Sequence, residues 1–134
     1  MGSSLLIVLD THEWIWLADR NTRSSQHARE QMETHRSTGL MVSAISLIEV
    51  ANAARKGRLF INKPLTDWFE DALSLPGVEL YPLDAAVASA SVDLPGEFHK
   101  DPADRIIVAT ARVLDVPLLT SDDLIRRYPH VRLA

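Results

Sequence analysis

The chain has 134 residues, of which 46% are hydrophobic, so it is long enough to fold as one domain around a buried core. It contains no cysteine, which excludes disulfides, thiolate catalysis and cysteine-ligated zinc. Its formal net charge of −4 is unusual for a nucleic-acid-binding domain, which typically presents a basic face. The apolar runs are too short to span a bilayer and no basic segment precedes one, so we expect a soluble, cytoplasmic protein.

The first predicted element is a strand over 5–9, where five apolar residues run without a break and end at Asp10. A short apolar run rich in Leu, Ile and Val is typical of a strand buried on both faces of a parallel sheet. In open α/β folds, ligands bind in the crevice beyond the carboxyl ends of the strands. Asp10 is therefore predicted at an edge where a site can form. Met1–Ser4, either native or a cloning remnant, is left out of the fold.

Predicted strands and helices alternate along the rest of the chain. Further strands are predicted over 40–43, 78–81, 116–120 and 130–133. Helices are predicted over 13–18, 24–35, 46–56, 65–75, 83–92, 101–114 and 123–127. Proline and glycine lie near several of these boundaries, which supports them. The alternation predicts a single α/β domain over 1–134, with a parallel sheet and right-handed crossovers.

The first acids of the chain have ordinary structural interpretations. Asp10 can cap the helix that follows it, as can Thr11. Ser46 and Glu49, three residues apart at the start of a predicted helix, match a capping box. Glu49 also interrupts a helical face that is otherwise apolar, so a functional role stays open.

The later acids allow the same two interpretations. Asp101 and Asp104 match a second capping box, with Pro102 in the first turn. Asp122 and Asp123 follow the fourth strand and favour the positive end of a short helix. Because adjacent residues point in different directions, we expect only one of these two to face a common site.

Taken together, the acids indicate a metal site. Carboxyl ends of parallel strands meet at one edge of the sheet, so carboxylates from four separate elements are expected to converge there. Like charges raise one another's pKa, and a divalent cation relieves this repulsion. Hard cations prefer oxygen ligands and can activate water for attack on a phosphodiester. An all-acid site without cysteine or paired histidine favours Mg²⁺ or Mn²⁺ over zinc.

Four segments carry a resemblance to a known family. They are LDTH (9–12), SAISLIE (43–49), HKDPADRII (99–107) and LTSD (119–122). In this order and spacing they resemble the PIN domain, and most closely the VapC-type toxins of prokaryotic toxin–antitoxin pairs. The resemblance extends from Leu5 to Leu133. It implies a three-layer α/β fold in which helices flank a five-stranded parallel sheet.

The resemblance also implies a function. The expected activity is that of an Mg²⁺- or Mn²⁺-dependent endoribonuclease, the toxin of a type II toxin–antitoxin system, which hydrolyses RNA with metal-activated water. A cognate antitoxin and a homodimer are the implied partners. By motif position, the catalytic acids are Asp10, Glu49, Asp104 and Asp122. The metal ligands among them are Asp10, Asp104 and Asp122.

Two further groups of residues are expected to assist. Thr11 and Ser46 can hold carboxylates by hydrogen bonds, as residues behind metal ligands do. The full supporting set is Thr11, Ser46, Asp101, Thr120 and Asp123. Basic residues near the site can contact RNA phosphates, although a solvated helix end explains several of them equally well. They are Arg55, Lys56, Arg58, Lys100 and Arg105.

Two alternatives belong to other functional classes. In the first, the protein is a non-catalytic α/β binding or regulatory module whose acids only cap helices. In the second, Asp10 is the nucleophile of an aspartyl-phosphate enzyme or receiver. The second is less favoured, because position 12 is histidine instead of a second acid and no lysine follows the fourth strand.

Overall fold

The computed structural model describes residues 6–134 of the chain. Met1–Ser4 and the predicted start of the first strand at Leu5 lie outside the described residues. Within 6–134 the strands are β1 (Ile7–Leu9), β2 (Leu40–Ser43), β3 (Val78–Tyr81) and β4 (Leu118–Leu119). All neighbouring strands pair in parallel, in the order β3-β2-β1-β4. The predicted α/β class with a parallel sheet is therefore confirmed.

The prediction of five strands was wrong for the part of the chain that the structure describes, since the sheet has four. The expected edge strand over 130–133 is reduced to one parallel bridge between Leu118 and Leu133. Its backbone bonds run from the Leu118 amide to the Arg132 carbonyl and from the Ala134 amide to the Leu118 carbonyl. Because β4 is only two residues long, it offers too few backbone groups to pair with a longer strand.

Seven helices connect and cover the strands within residues 6–134. They are α1 (Thr11–Ala18), α2 (Gln26–His35), α3 (Ile45–Arg55), α4 (Leu65–Leu73), α5 (Ala85–Val92), α6 (Pro102–Leu114) and α7 (Asp123–Arg126). None of these helices has the length and apolar character that crossing a membrane requires. Most predicted boundaries agree with these to within about two residues, the usual uncertainty of a helix end.

The start of α3 differs from the capping-box prediction. The residue before the helix is Ala44, which makes no side-chain cap, and Ser46 lies inside the first turn. Ser46 is fully buried, and its hydroxyl contacts Thr11 instead of the backbone of its own helix. The capping interpretation of Ser46 and Glu49 was therefore wrong, because a contact with another element uses the hydroxyl.

The core lies on both faces of the sheet, which gives three layers. Alternate residues of β1 face opposite sides, as the pleat of a strand requires. Ile7 and Leu9 pack against α1, α2 and α4, where Trp14 and Trp68 meet edge to face at 5.2 Å. Val8 packs on the other face, against a cluster that α5, α6 and α7 contribute to. The three-layer arrangement expected for the sheet is thus present.

The strand order also locates the place where a site can form. The chain leaves β1 toward β2 on one side, and β4 later returns on the other side. Crevices at such switch points, outside the carboxyl ends of the strands, are the usual ligand sites of open α/β sheets. Asp10 follows β1 and Thr120 follows β4, so both residues border this crevice.

Gly77, just before β3, is a position where we expect any side chain to be harmful. Its φ of +85° is in the left-handed region, and a Cβ there would lie 2.1 Å from the carbonyl oxygen of Arg36. Gly57 has a similar φ of +74° but open space around it. Gly57→Ala should therefore cost only the left-handed strain of about 1–2 kcal/mol. Gly77→Ala should lower the free energy of unfolding by clearly more, as measured by urea denaturation, and equal losses would contradict this.

Candidate active site

Asp10 is a buried carboxylate at the carboxyl end of β1, with 7% of its surface exposed. Its Oδ1 accepts the amide of Thr11 at 2.8 Å, and its Oδ2 accepts the hydroxyl of Thr120 at 2.6 Å. Its own amide donates to the carbonyl of Leu119, which joins β1 to β4. Burial raises the pKa of Asp10 even though these hydrogen bonds favour the charged form. The carboxylate is thus fixed in orientation by the end of the neighbouring strand.

Glu49 reaches the same region from α3, where Thr11 holds it. The Thr11 hydroxyl donates to Glu49 Oε1, and because it has only one proton it accepts from the Ser46 hydroxyl at 2.7 Å. Burial is the largest cause that raises the pKa of Glu49, and the charges of Asp10 and Asp101 add to it. Thr11 therefore contacts a carboxylate of this region directly, and Ser46 reaches it only through the hydroxyl of Thr11.

Two acids come from the start of α6. Asp101 caps the helix, because its Oδ1 accepts the amide of Asp104 at 3.1 Å. One carboxylate oxygen from each of Glu49, Asp101 and Asp104 lies within 4.8 Å of the other two. His99 lies beside this group, with its Nε2 at 3.0 Å from Asp104 Oδ2. The capping acid therefore also faces the functional acids.

Asp104 is half-buried among the other acids, and its pKa is strongly raised. Its pKa is raised from 3.8 to about 7, first by burial and then by the negative charges around it. Those charges are Asp10, Asp101, Asp122 and Glu49. Carboxylates from four separate elements thus lie close enough together to oppose the ionisation of one another.

Asp122 follows β4 and is exposed to solvent. Its Oδ1 accepts the amides of Leu124 and Ile125, which caps α7, and its own amide donates to the hydroxyl of Thr120 at 3.0 Å. Its charge is among those that raise the pKa of Asp10 and Asp104. The carbonyl of its neighbour Asp123 accepts a hydrogen bond from the side chain of Arg127. Of the two adjacent acids, Asp122 is the one on the side of the site.

Glu13 is a residue of this region that the sequence reasoning did not select. It lies on α1 with no exposed surface, and its Oε2 accepts the hydroxyl of Ser121 at 2.6 Å. Burial is the main cause that raises its pKa, and the charge of Asp10 adds to it. The available signal was an acid next to Trp14 and Ile15, in a stretch otherwise fit for burial.

The basic residues differ in how their charge is used. Arg105 donates to the carbonyls of Ser91, Phe98 and His99, so its guanidinium fixes the loop before α6. This engagement favours a structural role for Arg105 over RNA contact. The other four predicted contacts, Arg55, Lys56, Arg58 and Lys100, are exposed to solvent.

The donor set fits a divalent cation. Three carboxylate oxygens within 4.8 Å of one another supply only oxygen ligands. Burial is the largest cause of the raised pKa of Asp104, and the repulsion from neighbouring acids that adds to it is one that a cation would relieve. Asp104 shares this group with Glu49 and Asp101. Asp10 and Asp122, the other predicted ligands, affect Asp104 through their charge.

Comparison with known proteins places this arrangement in a family. Residues 7–131 match the family described as PIN domain. The chain belongs to the PIN domain family. The match confirms the resemblance inferred from the four sequence segments. This PIN domain is 32% identical to Ribonuclease VapC22 of Mycobacterium tuberculosis (strain ATCC 25618 / H37Rv) over 126 residues, which are 94% of each chain.

Solved structures share the fold of this PIN domain. VapBC2 from Rickettsia felis, bound to a DNA fragment from its promoter, matches with a TM-score of 0.72 and 16% identity, covering 96% of this chain and 97% of that one. DNA-bound VapBC from Salmonella typhimurium matches with a TM-score of 0.69 and 18% identity, covering 96% of each chain. At these identities the likeness establishes the PIN fold.

The hydroxyl of Thr120 should be important for stability, since it joins Asp10 to the loop after β4. Thr120→Val keeps the shape but leaves Oδ2 of the buried Asp10 carboxylate without this donor, which should cost about 1–3 kcal/mol in urea denaturation. Thr110→Val is the matched control, because Thr110 is also buried but donates only to a carbonyl of its own helix. Equal losses in the two variants would contradict the role of Thr120.

The pKa of Asp104 predicts how the stability of the metal-free protein depends on pH. Between pH 3.8 and about pH 7 the folded state binds more protons than the unfolded state. The free energy of unfolding should therefore fall as the pH rises through about 7. Asp104→Asn removes this contribution, and its melting temperature should depend less on pH. Thermal melts with EDTA from about pH 5.5 to about pH 8.5 measure the difference. Identical pH profiles for the two proteins would contradict the raised pKa.

Proposed function

We propose that this PIN domain is a divalent-cation-dependent endoribonuclease, the toxin of a type II toxin–antitoxin pair. The main support is that Asp10, Glu49 and Asp122 lie close enough to Asp104, at one edge of the sheet, for their charges to raise its pKa. The relative that is 32% identical over nearly the whole chain carries the name ribonuclease, which supports RNA as the substrate.

The chain supplies the ligands of the cation. Asp10, Asp104 and Asp122 are proposed to hold Mg²⁺ or Mn²⁺, with Glu49 and Asp101 close enough to Asp104 to share in this role. A bound cation of this kind lowers the pKa of water and offsets negative charge on a phosphodiester. Ser46, Thr11 and Thr120 keep the carboxylates oriented, as outer residues do in other metal sites.

Substrate binding is assigned to exposed cations of α3 and of the loop before α6. Arg55, Lys56 and Arg58 lie at and beyond the end of α3, and Lys100 is adjacent to the capping acid of α6. Contacts between such residues and phosphates position a nucleic acid without reading its sequence. The net charge of −4, in which these residues are already counted, opposes the approach of RNA, so any attraction to phosphates would have to be local.

The proposed partners follow from the same assignment. The solved neighbours are VapBC complexes, which supports a cognate antitoxin as the partner of this chain. A homodimer is proposed as the form in which it binds that antitoxin. A toxin that cuts cellular RNA would act in the cytoplasm.

A second candidate function has an observation in its favour. Asp10, Asp101 and Asp122 each accept a backbone amide at the start of a helix, as capping residues of a non-catalytic binding module would. The two candidates differ in their response to metal, because a ligand that binds only the folded state raises its stability. A melting temperature that Mn²⁺ does not change would favour the binding module.

Substitution of Asp104 tests the nuclease assignment. Purified protein should cut single-stranded RNA with Mn²⁺ or Mg²⁺ and stop when EDTA is added. Asp104→Asn should lower the rate by at least about 100-fold, since loss of a ligand exceeds the effect of residues behind the ligands. Asp71→Asn is the control, because Asp71 is an exposed acid of α4 paired with Lys63 and should retain activity. Undiminished cutting by Asp104→Asn would overturn the assignment.

A further inference from the structure

Glu13 is a buried acid for which the proposed chemistry has no use. It has no exposed surface, and its Oε1 has no hydrogen-bond partner among the described residues. Burying a carboxylate with an unsatisfied oxygen opposes folding. Its neighbours Trp14 and Ile15 belong to the apolar core, where leucine would fit the pattern. Stability of the fold therefore does not explain an acid at this position.

Among the described residues, the side chain of Glu13 has one hydrogen-bond partner, and that partner lies next to the site. Ser121 donates to Glu13 Oε2 at 2.6 Å across 108 positions of sequence. Ser121 lies between Thr120, whose hydroxyl donates to Asp10, and Asp122, whose amide donates back to that hydroxyl. Glu13 of α1 thus holds the middle residue of the loop over 120–122. One end of this loop, Thr120, contacts Asp10, and the other end is Asp122 itself.

The hydrogen bond between Ser121 and Glu13 is separate from the other contacts of the loop over 120–122. Thr120 is buried and attached to β1 through Asp10, and its carbonyl accepts from Arg126 of α7. Ser121 itself is exposed to solvent, so the apolar core does not fix its position. Its side chain is held by the hydrogen bond to Glu13. Without that bond, the exposed part of the loop would lose a restraint on its backbone angles.

We propose that Glu13 is a positioning residue that acts through Ser121 to hold the loop over 120–122 in its site-forming conformation. In that conformation Thr120 orients Asp10 and the carboxylate of Asp122 lies beside the other acids. This inference rests on the proposed nuclease function. It assigns Glu13 an effect on cation affinity and turnover but none on the binding of RNA.

Four variants test the proposal through one hydrogen bond. Glu13→Leu removes the acceptor and Ser121→Ala removes the donor. The double variant removes both, and Glu13→Gln keeps an amide oxygen that can accept from Ser121. Ser24→Ala is the control, because Ser24 is a buried serine of the α1–α2 connection that donates to the carbonyl of Asn21. For each protein we would measure the melting temperature, the Kd for Mn²⁺ by calorimetry, and kcat and KM on one RNA.

The expected results separate positioning from folding. Glu13→Leu and Ser121→Ala should each weaken Mn²⁺ binding and lower kcat by about tenfold, with KM unchanged. The double variant should be no worse than either single one, since the pair acts as a unit. Glu13→Gln should stay within about threefold of the wild type, because the hydrogen bond persists. The melting temperature of Glu13→Leu should equal or exceed that of the wild type. The control Ser24→Ala should have the Kd and kcat of the wild type.

Other outcomes would overturn the proposal. Wild-type Kd and kcat in Ser121→Ala would do so, because this exposed residue can be changed without disturbing the core. Additive losses in the double variant, or losses that follow the melting temperature, would indicate a purely structural role. If the wild-type protein binds no Mn²⁺ and cuts no RNA, the nuclease function itself has failed, and that result is distinct from a failure confined to the Glu13 variants.

Discussion

The hydrogen bond from Thr120 to Asp10 is the interaction on which the site depends. It joins the carboxyl ends of the two strands that flank the switch point of the sheet, and it does so beneath the surface, where only 7% of Asp10 is exposed. A buried carboxylate without hydrogen bonds would oppose folding by several kcal/mol. Because Asp10 is satisfied by a strand end on one side and by the Thr11 amide on the other, it can remain at this position.

Helix capping and a cation site are compatible uses of the same acids. A capping carboxylate such as Asp101 gives an oxygen to a backbone amide and still lies against Glu49 and Asp104. Capping thus fixes Asp10, Asp101 and Asp122 at helix starts, while the parallel sheet brings those helix starts to one edge. Burial, together with the repulsion among these acids, raises the pKa of Asp104 to about 7. Hydrogen bonds within the chain therefore hold Asp10 and Asp101 in position.

The sequence was most informative where local pattern determines structure. Apolar runs identified the strands, and the acids that follow them identified the edge where Asp10 and Asp104 meet. The errors arose where contacts between distant parts of the chain determine the structure. The two-residue β4 pairs with the end of the chain through a single bridge, so a fifth strand does not form. The Ser46 hydroxyl, which was expected to cap α3, contacts Thr11 instead. Arg105 donates to loop carbonyls, and the role proposed for Glu13 depends on its hydrogen bond to Ser121, 108 positions away. No local pattern encodes such partners.

Calorimetric titration of Mn²⁺ into the metal-free protein near pH 7 tests the central claim most directly. In two buffers with different ionisation enthalpies, the observed heats report the protons released on binding. A cation held by carboxylates that include Asp104, whose pKa is about 7, should bind with measurable proton release. Asp104→Asn should weaken binding and release fewer protons. Absence of binding in the wild type, or binding with no protons released and no dependence on Asp104, would contradict a cation site formed by these acids.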